Sequence, residues 1–130
     1  VLFVNRYLSK EEIVRYLVMS DLYLTPYLNM DQAVSGTLAY ASGYGRVIIS
    51  TPYSYAREML SGHRGILVKK KDAKSIAKAI CYILDNPKEK TKMEALTTAV
   101  GEENFWENVA KRYRQLFQDS LMEMSRGENK

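Results

Sequence analysis

Residues 21–60 read DLYLTPYLNMDQAVSGTLAYASGYGRVIISTPYSYAREML, and this stretch decides the fold. Leu22–Thr25 is a short apolar run stopped by Pro26, which reads as a strand. Residues 27–34 form a polar loop. Ser35-Gly36-Thr37 opens a helix with its body at 38–42, and Gly43 and Gly45 end it. Val47–Ser50 is β-branched and apolar at successive positions, as a strand buried on both faces requires. Thr51-Pro52 begins another helix, with proline at its first turn. In an open parallel sheet, residues 29–37 face the crevice at the carboxyl ends of the strands. A helix start there offers unpaired N–H groups and the positive end of a dipole, a ready phosphate site. The stretch therefore predicts a nucleotide or sugar-phosphate site built on Ser35, Gly36 and Thr37.

Working outward, residues 1–4 (VLFV) read as a buried strand, and a strand at the first residue suggests that further sequence precedes it. Ser9 with Glu12 three residues on is a capping box that starts a helix through about Met19, with Ile13, Tyr16 and Leu17 inward. Residues 65–68 (GILV) make a fourth strand. From Asp72 the pattern is helical, with Ile76, Ala77, Ile80, Ile83 and Leu84 on one face, and Asn86-Pro87 stops it. A helix over 88–100 follows, with Met93 and Leu96 inward. Asn104 and Glu107 start a last helix striped by Val109, Tyr113, Leu116, Phe117 and Leu121. Residues 125–130 read as a polar, frayed tail. Strands alternating with helices predict an α/β, Rossmann-like parallel sheet of about four strands, occupying residues 1–124.

Composition narrows the function classes. The chain has 130 residues and a formal charge of +4. Residues 1–62 carry five basic and five acidic side chains, so the excess lies in the fourteen basic and ten acidic residues that follow. That excess is spread along helices as a solvated face, apart from Lys69-Lys70-Lys71. No interleaving of basic and aromatic residues suggests nucleic-acid binding. A weak attraction to anionic lipid heads is compatible with it. One cysteine, Cys81, excludes an internal disulfide, and its helical setting reads as buried and apolar. One His and one Cys cannot form the usual zinc sets. No stretch reads as a membrane span or a secretory signal, so a cytoplasmic setting is expected.

The order of elements resembles the donor-binding C-terminal half of GT-B glycosyltransferases of family 4. The residues that carry the resemblance are Asp21-Leu22-Tyr23-Leu24-Thr25-Pro26, the small-residue helix at 38–43, Val47-Ile48-Ile49-Ser50-Thr51 and Glu58. Gly65-Ile66-Leu67-Val68 ahead of Asp72 continue it. Asn104-Phe105-Trp106 is similar to the Phe-Ser-Trp element before the family's terminal helix. The resemblance implies a retaining transferase that takes a UDP- or GDP-linked sugar as substrate, without a metal or other cofactor. It implies an acceptor glycan or lipid, and an N-terminal acceptor domain outside this chain. It also implies two strand–helix units ahead of residue 1 that usually hold the diphosphate.

That family usually has two Glu residues separated by seven. In this sequence the first falls at Met30, Asp31 or Gln32, and the second at Leu38, Ala39 or Tyr40. Asp31 and Gln32 are candidates for sugar hydroxyls, with Gln able both to donate and to accept. Loop solvation explains them equally well. No acid stands at the second position. The segment 32–41 looks like a branch of the family with a Gln-x-x-Ser-Gly-Thr-Leu-Ala-Tyr-Ala loop. Tyr27, Tyr53 and Tyr55 fall near strand ends and are candidates to line a sugar or base pocket, though tyrosines also simply pack there. Glu58 matches a family position on a helix surface. His63, the sole histidine, reads as a loop residue.

Two other classes compete. A non-catalytic α/β interaction or regulatory module fits the missing second Glu. A receiver-like signalling domain shares the layout, but its acidic cluster after the first strand is replaced by Asn5-Arg6-Tyr7.

Overall fold

The structure, a computed structural model, describes residues 1–127. In chain order the elements are α1 (Lys10–Met19), β1 (Leu22–Thr25), α2 (Gly36–Gly43), β2 (Val47–Ser50) and α3 (Ser54–Met59). They continue with β3 (Gly65–Leu67), α4 (Ala73–Asp85), α5 (Pro87–Glu103) and α6 (Trp106–Gly127). The three strands form one parallel sheet in the order β1-β2-β3. The α/β, Rossmann-like class expected from the sequence is the one observed, with three strands among the described residues rather than four.

β2 is central, and all four of its residues are buried. Its side chains alternate between the two faces. Ile48 packs with Leu17 of α1, Leu38 of α2, Ala56 of α3, and Tyr53 and Leu60 that cap α3. Val47 meets Ile83 and Met93, and Ile49 meets Val68 and Ala79, on the side covered by α4 and α5. Each of the buried valine, leucine, isoleucine and methionine side chains contributes about 1.5–3 kcal/mol of transfer free energy. This two-sided core explains why the strand reads as an unbroken apolar run.

α1 is fixed at its start by the expected capping box. Ser9 Oγ accepts from the Glu12 N–H (3.2 Å), and Glu12 accepts from the Ser9 N–H (3.0 Å). Arg46 reaches from the start of β2 to the Ser20 carbonyl (3.1 Å), and Lys90 of α5 pairs with Asp21 ahead of β1 (2.9 Å).

α2 crosses α5 at backbone contact. A Cβ on Gly101 would lie 2.7 Å from Gly43 Cα and 2.8 Å from the Ser42 carbonyl oxygen. Only glycine permits this approach. Gly45 then turns the chain into β2 at φ +63°, the left-handed region open to glycine.

Several expectations are corrected. Residues 1–4 are not a strand; they lie exposed outside the sheet, with Phe3 85% accessible. An apolar run becomes a strand only where a neighbour takes up its N–H and C=O groups, and among the described residues this run has no strand beside it. Cys81 is exposed, not buried. On α4 the inward face is Ile76, Ala79, Ile80 and Ile83, while Ala77 and Leu84 face outward. Tyr16 and Leu96 are likewise exposed. The stripe of α6 exists and α6 packs against α5, but Tyr113, Leu116 and Phe117 are exposed. α6 also runs through Gly127, so the first three residues of the expected frayed tail are helical and the last three lie outside the described residues. No helix among the described residues is long and apolar enough to cross a membrane.

Candidate functional site

The three strands end side by side at Thr25, Ser50 and Leu67. Beneath this edge lies a buried set of hydroxyls. Thr25 Oγ1 donates to Ser50 Oγ (2.7 Å), and Ser50 Oγ donates to the Thr51 carbonyl (2.9 Å). Thr51 Oγ1 donates to the Tyr27 carbonyl (2.7 Å), which fastens the loop after β1 to the end of β2. Thr25, Ser50 and Thr51 are all buried, so each needs such a partner.

Above this floor stands the start of α2. Ser35 is buried and caps the helix, its Oγ accepting from the Leu38 N–H at 3.3 Å. The Tyr27 hydroxyl and the Thr37 hydroxyl each lie 3.4 Å from Ser35 Oγ. Tyr27 stacks at a tilt on Tyr53, ring centres 5.2 Å apart. Burial pushes the Tyr23 phenol up, with a hydrogen bond from Thr37 opposing the shift. Tyr27, Ser35 and Thr37 thus form one hydroxyl chain under the helix start, with the Tyr23 phenol beside it.

Gly36, the first helical residue, is exposed, and a Cβ there would meet nothing within 4 Å. The first turn of α2 holds no acidic residue. The four longer helices each carry an acid at their start, Glu11 and Glu12 in α1, the Asp72 cap of α4, Glu89 in α5 and Glu107 in α6, whereas the short α3, like α2, has none in its first turn. An acid there satisfies the dipole from within the chain. The start of α2, at the carboxyl edge of the sheet, leaves that charge open to a ligand.

The other expected residues are placed as follows. Asp31 is exposed in the loop, where its N–H bonds Asn29 Oδ1 (3.1 Å). Gln32 is half-buried, and its Nε2 donates to the Val34 carbonyl (3.0 Å). Tyr53 is fully buried in the core, and its hydroxyl has no hydrogen-bond partner among the described residues. Burial also pushes the Tyr55 phenol up, with the Glu58 carboxylate adding to the shift. Glu58 is exposed on α3 and shares none of the hydrogen bonds around Ser35; its backbone carbonyl receives Arg64 (2.9 Å). His63 sits in a turn at φ +65°. Tyr23 was not anticipated at the site. The signal available was its place two residues before Thr25, on the opposite face from Leu22 and Leu24. Among the described residues no three His, Cys, Asp or Glu side chains cluster as a metal site.

The family model described as glycosyl transferases group 1 matches residues 1–86. No curated protein matches the chain. The matched span takes in all three strands, the hydroxyl floor and the open start of α2. With two thirds of its length inside that match, the chain belongs to the group 1 glycosyl transferases.

Proposed function

We propose that this chain is the donor-binding, C-terminal portion of a retaining, family-4 type GT-B glycosyltransferase. It takes a UDP- or GDP-linked sugar at the start of α2. An acceptor glycan or lipid is held by an N-terminal domain outside this chain. The observation that carries this reading is the acid-free, open helix start above the buried hydroxyl floor. The backbone N–H groups of Gly36 and Thr37 face the donor diphosphate. As the bond between sugar and diphosphate breaks, negative charge builds on the leaving oxygen, and preorganised donors stabilise it without reorganising. Asp31 and the Oε1 of Gln32 address sugar hydroxyls. Tyr27 holds Ser35 in place, Tyr53 backs Tyr27 from the core, and Glu58 lines the outer edge of the pocket.

A second reading, a non-catalytic module derived from this family, is favoured by one observation. Of Leu38, Ala39 and Tyr40, which stand where the family's second Glu is expected, Leu38 is fully buried in the core and none offers a carboxylate to a ribose.

The test is an amide NMR titration with UDP, GDP, UDP-glucose and GDP-mannose. Saturable shifts at residues 35–37 from one base support the donor reading. Gly36→Val should abolish them while the fold is retained, because its side chain enters open space. Silence at millimolar ligand, both here and in a chain lengthened upstream, would favour the module.

A further inference from the structure

A groove of about 910 Å³ runs along the outer side of β3, between that strand and α4. Its floor is apolar, formed by Ile66, Val68 and Ala79. Lys69, Lys74 and Lys78 stand exposed along its rim. The one acidic residue lining it, Asp72, is engaged by the Ser75 N–H at 2.9 Å as the cap of α4. The groove is therefore cationic above an apolar floor.

β3 pairs only with β2, so its outer edge carries no strand among the described residues. Backbone groups along a parallel ladder turn alternately to the two sides. The Val68 N–H bonds the Ser50 carbonyl at 2.9 Å, toward β2. Leu67, one residue earlier, accordingly turns its N–H and C=O to the groove, and its side chain is exposed. An unpaired edge is a template for another extended segment. Lysines on such an edge repel basic segments and attract acidic ones.

We propose that this groove docks an extended acidic peptide of a partner protein, which adds to β3 as a fourth strand with its carboxylates on Lys69, Lys74 and Lys78. The site is separate from the start of α2 and does not depend on the donor reading. Ladder hydrogen bonds from the backbone of residues 67–69 supply affinity, and alternate apolar side chains of the peptide reach Ile66 and Val68.

The test titrates the chain with a capped peptide of alternating valine and glutamate and follows the amides of residues 65–69. Saturable shifts there that weaken with added salt are expected. Charge reversal of the three rim lysines, all exposed and so tolerated by the fold, should weaken binding by about tenfold. The same peptide N-methylated at alternate residues should not bind, because it cannot form the ladder. Silence at millimolar peptide would overturn the proposal. So would equal binding of the N-methylated peptide or of a lysine–valine peptide. Identical shifts from pyrophosphate at lower concentration would reduce the groove to a bare cation patch and overturn it too.

Discussion

Both α1 and α2 begin on a serine, yet the two starts are completed differently. At α1, Glu12 closes the capping box on Ser9, Glu11 adds a second acid to the first turn, and Arg6 grips Glu12 from outside. At α2 the residue in Glu12's place is Leu38, turned into the core and fully buried. One helix is finished by its own charges, and the other is held by packing and leaves its charges unspent. The difference teaches that a cap is not by itself a sign of function. The informative feature is a cap whose usual acidic companion is missing.

The strongest way to break this contrast is to attack the packing that holds α2. Gly101→Leu drives a side chain into the backbone of Gly43 and Ser42. We expect a loss of about 3 kcal/mol, read as a lower urea midpoint. A variant as stable as the parent would show that α2 does not depend on α5.

Ser35→Ala removes the cap of α2 and the partner of Tyr27, and should cost about 1 kcal/mol. Gly36→Glu sharpens the contrast from the other side by giving α2 the acid that α1 already has. It should raise stability by about 0.5 kcal/mol while removing nucleotide shifts in the NMR titration. Retained nucleotide binding with a glutamate at that position would count against the donor reading.

The smallest effect concerns α1 in acid. The Arg6 guanidinium and the Ser9 N–H hold the Glu12 carboxyl down at about 2, against an ordinary 4.5. A carboxyl depressed on folding contributes stability that is fully present above its ordinary pKa. That contribution is lost as the pH falls from there through about 2. The Ser9 amide shift, followed against pH, should have its midpoint near the lower value. A midpoint at the ordinary carboxylate value would mean that the box is open in solution.

The sheet was legible because its signals are local. Val47–Ser50 is apolar at each position until the serine, and Leu22–Thr25 is closed by Pro26. Residues 1–4 have the same apolar look, but strand formation depends on a distant partner that no local pattern encodes. On α4 the sequence pattern favours Ala77 over Ala79, two positions on, since both alanines lie at helical spacings from the isoleucines of that face. The stripe of α6 was correctly periodic, yet periodicity does not say what covers it. At the site, the loop and helix start were visible from turn chemistry and topology. The place of Tyr53 in the core was not, because a tyrosine near a strand end fits a pocket and a core equally well. The contact of Gly101 with Gly43 was hidden as well, since it joins residues far apart in the chain.

The strand order β1-β2-β3 has a consequence for how the molecule forms. Each strand pairs with its predecessor in the chain across a single helix, α2 for the first pair and α3 for the second. Closing such short spans costs little chain entropy, and short spans go with fast folding. The sheet can thus be laid down in the order of synthesis, one crossover at a time, before α5 arrives to lock Gly101 against Gly43.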